Sequence, residues 1–339
     1  MLSPMRHPLA GLLLLVPLGA GLAEETAPVG SASFAIQGMT LQLRADDPGG
    51  DEGAALAELR RLGATHVLLT VDVHQRDGRG LPERRPEAVP DPALLRAIRA
   101  AQAERLAVIL QPRLVLADAG ELSPPDWAAW FRAWERVLLH YGRLASEADV
   151  DVLSLGAGLS GAEAHTARCR ELVARVRRVY GGALTWTADP DRYQAVGFWG
   201  DLDYVALAGG WPLARAGDPE PGVEDLAAAW DGIKADLLAW RRKARLTAPL
   251  LLLDAGDPSP AGCEAFARAW KGTRELAGVV FHEGGPRHGG DTPAREVLRA
   301  LFGGPGPAPP APLPEPPALT APDRAPPRRE RRGRARPRA

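Results

Sequence analysis

The chain has 339 residues, with 41 Lys and Arg against 42 Asp and Glu, a net charge of −1, and two cysteines. Two cysteines, Cys169 and Cys263, exclude a disulfide framework and a cysteine-based zinc site, and read as buried thiols. The near-neutral total excludes a chain that is basic throughout, and no specific nucleic-acid binding is expected.

The first 23 residues combine Arg6, an apolar run and the small residues Gly21 and Ala23, the pattern of a secretory signal cleaved after Ala23. The run is too short and too interrupted by Gly and Pro to cross a membrane, so the mature protein is expected without a transmembrane segment, secreted or periplasmic. No cysteine follows to carry a lipid anchor. Residues 24–33 read as a linker. Residues 305–339 are rich in Pro and Arg and have little to bury, so a disordered tail is expected. The tail holds eight Arg against three acids, which leaves residues 24–304 at a net charge of −7. Such a tail is either simply solvated or touches anionic surfaces.

Between these ends, short apolar runs alternate with longer segments of helical spacing. Strands are expected at 34–43, 65–73, 106–114, 150–156, 183–188, 203–209, 249–255 and 278–284. Helices are expected at 51–63, 91–106 and 162–181, among others. Gly63 and Gly181 stand where helix C-caps belong. Ser123 reads as an N-cap, with Pro124 and Pro125 at the first helical positions. Trp127, Trp130, Phe131 and Trp134 recur at helical spacing, as a packing face does. Eight strands alternating with seven or eight helices is the rhythm of an α/β (β/α)8 TIM barrel over residues 34–304. The competitor, a doubly wound sheet, lacks the G-x-G-x-x-G loop after its first strand.

In a barrel, chemistry sits after the C-terminal ends of the strands. Asp72 and His74 share one face of the second strand, and His282 is the third group a metal would need, but no spaced His motif exists and no metal site is expected. No motif calls for a cofactor. Ser160 lacks the G-x-S-x-G elbow of a nucleophile, and reads as an N-cap for the segment near Ala162. Carboxylates remain, since a retaining glycosidase needs two of them. Asp254 and Glu283 end neighbouring strands, and either one instead pairs with Arg113 or Arg44. Trp186, Trp199 and Trp211 lie near strand ends, where an indole either stacks on a sugar or plugs the barrel.

Several stretches resemble glycoside hydrolase family 113, the β-mannanase-type barrels. They are "GATHVLLTVDVHQ", "PDPALLRAIRAAQAERLAVILQPRL", the run from Trp127 to Gly156, and above all "YGGALTWTADPDRYQAVGFWGDLDYVALAGGWPL". The resemblance implies a retaining glycosidase fold, with an acid/base glutamate after strand 4 and a nucleophile glutamate after strand 7. Here the matching positions hold Gly158 and Asp254. The third-strand histidine becomes Arg113, and the polar stretch after strand 6 becomes Ala208-Gly209-Gly210. Losing a general acid costs about 10²–10⁴-fold in rate.

The expectation is therefore an exported pseudoenzyme that binds a glycan or a protein partner at the barrel mouth, with Asp72, His74, Arg113, Trp186 and Trp211 as ligand contacts. The alternative is a divergent mannanase-like hydrolase that uses Asp254 as nucleophile and a relocated acid. Glu283 is one candidate for that acid. Glu163 is the other, and reads more simply as a capping or solvated charge at a helix N-terminus. A third possibility places function in the tail, with the barrel as carrier.

Overall fold

A computed structural model describes residues 34–43, 52–84, 88–118, 120–213, 221–255, 259–282 and 293–303. Residues 1–33, where a signal segment and linker are expected, the expected tail from 305, and Arg44, Gly256 and Glu283 lie outside the described residues.

Eight parallel strands close into one barrel in sequence order: β1 (Ile36–Gln42), β2 (His66–Gln75), β3 (Ala107–Leu116), β4 (Val152–Ser154), β5 (Ala183–Ala188), β6 (Tyr204–Ala208), β7 (Leu250–Leu253) and β8 (Leu276–Phe281). Seven helices among the described residues surround it: α1 (Glu52–Arg61), α2 (Asp91–Ala103), α3 (Trp127–Glu147), α4 (Thr166–Val176), α5 (Val223–Lys243), α6 (Pro260–Trp270) and α7 (Pro293–Phe302). The β5–β6 connection has no α-helix and crosses on two short 3₁₀ turns, Tyr193–Ala195 and Trp199–Asp201. The chain is an α/β (β/α)8 TIM barrel.

Alternation along each strand divides the apolar residues into two sets. Ile36, Leu68, Ile109, Val152, Ala206, Leu251, Leu253 and Val280 form the inner set that fills the barrel. The larger set, which includes Leu69, Leu110, Trp130, Trp134, Trp186 and Phe266, lies between strands and helices. The Trp face of α3 is real: Trp130 and Trp134 are fully buried and stacked at 5.9 Å. At the seam between β1 and β8, a Cβ on Gly278 would lie 1.8 Å from the Ile36 carbonyl oxygen, so only glycine lets the barrel close there.

The helix boundaries correct several sequence-based expectations. Asp126 caps α3, accepting from the Ala129 N–H at 3.0 Å, because it stands next to the first helical residue while Ser123 lies a turn too early. Gly63 does terminate its helix in a left-handed conformation (φ +93°), with Ala64 N–H donating to the Leu59 carbonyl. Gly181 does not, because α4 spans only Thr166–Val176 and ends well before it. Cys169 and Cys263 are free and buried, and burial pushes the Cys169 thiol up to about 12.

Candidate active site at the barrel mouth

Following the inner face of each strand towards its C-terminal end gives the mouth. Above the apolar filling comes a polar layer of Thr40, Thr70, Gln111, Ser154 and Thr187, all buried. Thr187 Oγ1 donates to Gln111 Oε1 at 2.7 Å and lies 3.0 Å from Ser154 Oγ, linking β3, β4 and β5. Above this layer, Asp72 and Arg113 face each other across β2 and β3. Arg113 Nε donates to Asp72 Oδ1 at 2.9 Å, and Nη2 donates to Oδ2 at 3.2 Å. The ion pair weighed for Arg113 thus forms with Asp72, its register partner, and not with Asp254. His74, the next residue on that face of β2, is half-buried, and its backbone pairs with Glu83.

Two loops depart from strict alternation, each through a left-handed residue. After β7, Leu251 and Leu253 point inward, so a continuing strand would aim residue 254 outward. Asp254 instead has φ +57°, which turns its carboxylate back into the mouth. There its Oδ1 accepts from Thr40 Oγ1 at 3.2 Å and lies 2.5 Å from His282 Nδ1. After β4, Gly156 (φ +138°) adds a residue to the strand, and Ala157 becomes the partner of Arg113. Partners in a parallel ladder share a face, so Ala157 presents its methyl group to the interior side. Gly158 follows at φ +70°, and a Cβ there would stand 2.8 Å from the Leu114 carbonyl oxygen.

The other expected site residues fall differently. Trp186 is 0 % exposed: it sits between Thr185 and Thr187, which face the barrel interior, and so points outward. It packs edge-on against Phe198 at 5.1 Å and offers no face to a ligand. Trp199 is buried as well, with its indole N–H on the Tyr193 carbonyl. Trp211 alone of the three is partly exposed, and leans on Tyr193. Ser160 caps no helix; its hydroxyl donates to Asp189 Oδ2 at 2.7 Å and ties the β4 loop to the β5 loop.

Glu163 is not a solvated charge; it lies in the short 3₁₀ turn Ala162–Ala164 that precedes α4. It is 3 % exposed, and accepts from the Gly161 N–H at 2.8 Å. The Trp186 indole N–H leans toward its carboxyl without closing a hydrogen bond. Burial holds its carboxyl above the usual range, opposed by the N–H groups of Glu163 itself and Gly161. Thr40 was not singled out from the sequence, and Ala157 only as a position of the loop after the fourth strand, between two glycines. Counting alternate residues from Ile36 would have placed Thr40 inside; nothing local marks Ala157, because the extra residue that re-aims it is visible only in the pairing. No group of three or more His, Cys, Asp or Glu able to hold a metal occurs among the described residues.

The sequence profile of Glycoside Hydrolase Family 113 matches residues 51–280, more than half of the chain. The chain belongs to glycoside hydrolase family 113. Among solved structures, a family 113 β-1,4-mannanase complex aligns at 17 % identity with a TM-score of 0.68, covering 80 % of this chain and 99 % of that one. The family 113 β-mannanase AaManA from Alicyclobacillus acidocaldarius, in complex with ManMIm, aligns at 19 % identity and a TM-score of 0.63, covering 82 % and 99 %. A family 5 subfamily 18 protein from Bifidobacterium longum is more distant, at 13 % identity and 0.52, covering 78 % of each chain. Among curated proteins none matches the chain. At these identities the structural likeness carries the fold alone, and family membership rests on the profile match. Within the family 113 barrel, the loops after β4 and β7 are where the resemblance places the two catalytic carboxylates.

Proposed function

We propose that this family 113 barrel is an exported pseudoenzyme: it keeps a polar mouth and does not hydrolyse glycosides. The observation that carries this is the loop after β4. Its residues at the mouth are Ala157 and Gly158, and neither bears a group that can donate a proton. Gly158 is also held in a left-handed conformation against the Leu114 carbonyl, so the backbone is built around a glycine and is not a glutamate loop with its side chain trimmed. Of the two sequence candidates for a substitute acid, Glu163 supports the reading by being buried and engaged with the Gly161 N–H. The carboxylate after β7 is an aspartate, one methylene short, and one of its oxygens already serves Thr40 and His282.

What the mouth retains suits an uncharged carbohydrate: the paired Asp72 and Arg113, His74, Asp254 with His282, and the partly exposed Trp211. Export, by way of residues 1–23, places the protein outside the cytoplasm, and the basic tail offers a separate contact with anionic surfaces. The test is to titrate the full chain with manno-oligosaccharides by calorimetry and then analyse the recovered sugar. Saturable binding with the oligosaccharide intact supports the proposal, and shortened products contradict it.

A further inference from the structure

We infer that Asp254 serves the imidazole of His282 instead of standing free for a sugar, so that Nε2 of His282 is left as the open hydrogen-bond acceptor of the barrel mouth. Asp254 is turned inward by a left-handed backbone, a conformation uncommon for a non-glycine residue and concentrated where geometry matters. The inward carboxylate meets two partners through the same oxygen, Thr40 Oγ1 and His282 Nδ1. An ionised carboxylate only accepts hydrogen bonds, so Nδ1 must be the donor. A neutral imidazole has one ring proton, and placing it on Nδ1 leaves Nε2 with its lone pair, directed away from Asp254. The His282 side chain is 47 % exposed at the strand ends, so that lone pair is within reach of a ligand.

The charged groups facing the dyad from neighbouring elements, among the described residues, are few. β1 contributes the neutral hydroxyl of Thr40. Farther round the mouth, β2 and β3 contribute Asp72 and Arg113, which compensate each other. The ligand this suits is a sugar hydroxyl, which donates to Nε2 of the neutral dyad. This part rests on the carbohydrate-binding proposal; the orientation of the dyad does not.

Two measurements on the full chain separate the parts. Nitrogen-15 NMR of the imidazole should show the proton of neutral His282 on Nδ1 in the wild type, and on Nε2 once Asp254→Ala removes the partner. A wild-type proton on Nε2 would overturn the inference. Calorimetry with mannopentaose as the probe should show affinity several-fold weaker in His282→Phe, which removes the Nε2 acceptor, and equal affinity in the two proteins would overturn the role given to Nε2. Absence of binding in the wild type, with the tautomer as expected, would overturn the carbohydrate proposal and leave the dyad standing.

Discussion

Arg113 and Asp72 are register partners on adjacent barrel strands, and they close a two-point ion pair at 2.9 and 3.2 Å. The pair lies in the wall of the mouth, with Ala157 as the other bridge partner of Arg113. Its side chains are about a third exposed, so solvent screens the attraction and its net worth is about 1 kcal/mol or less. Arg113→Gln is expected to destabilise by about 1–2 kcal/mol, because it leaves the half-buried Asp72 carboxylate uncompensated. Adding Asp72→Asn should recover most of that loss. Urea unfolding of the two single variants and the double variant measures the coupling; strictly additive effects would show that the pair does not act as a unit.

The two positions of the β4 loop should respond differently to a grafted glutamate. Gly158→Glu forces a side chain into a left-handed backbone and against the Leu114 carbonyl, at an expected cost of about 1–3 kcal/mol. Ala157→Glu meets no left-handed strain and shares a face with Arg113, so it should be tolerated better. Thermal melting of both variants decides the order. A Gly158→Glu protein as stable as the wild type would mean the loop adjusts freely.

Glu163 gives a stability term with a definite sign. Burial raises its folded-state pKa above the unfolded value, so the fold favours the protonated form. That contribution is complete at acid pH below the unfolded value and is lost as pH rises through the folded value. Glu163→Gln keeps an acceptor for the Gly161 N–H and carries no charge. It should therefore melt at a higher temperature than the wild type at neutral and alkaline pH, with the gap closing toward about pH 4. A gap independent of pH would rule out ionisation as its cause.

His66, at the start of β2, acts in the opposite direction. Burial lowers its pKa to about 4 from an ordinary 6.5, so the fold favours neutral imidazole. Its stabilising contribution is full above the unfolded value and is lost as pH falls from about 6.5 to about 4, a swing of up to ~3 kcal/mol. Stability of the wild type should decline across that window, and His66→Gln should decline less. Equal slopes in urea midpoints against pH would contradict the assignment.

The barrel was legible because buried parallel strands read as short apolar runs, and each of the eight runs overlaps an observed strand. The β5 span, 183–188, coincides with the expected one. Features that depend on a position relative to a neighbour were not legible. Alternation along β5 puts Trp186 outside the barrel, although its place near a strand end suggests the mouth. Which acid Arg113 meets is a matter of register between β2 and β3, and no single strand carries that information. The approach of Asp254 to His282 joins residues 28 apart through a left-handed turn that aspartate adopts only occasionally. Caps were misjudged by a few residues in the same way: Ser123 and Asp126 are both good N-cap types, and only the helix start separates them.

The most direct test is hydrolysis of mannan, manno-oligosaccharides and aryl glycosides by the full chain, compared with its Asp254→Ala variant. A pseudoenzyme releases no reducing sugar or aryl alcohol in either case. Turnover by the wild type that disappears in Asp254→Ala would contradict that function, and would mean that this mouth holds a working nucleophile and an acid outside the β4 loop.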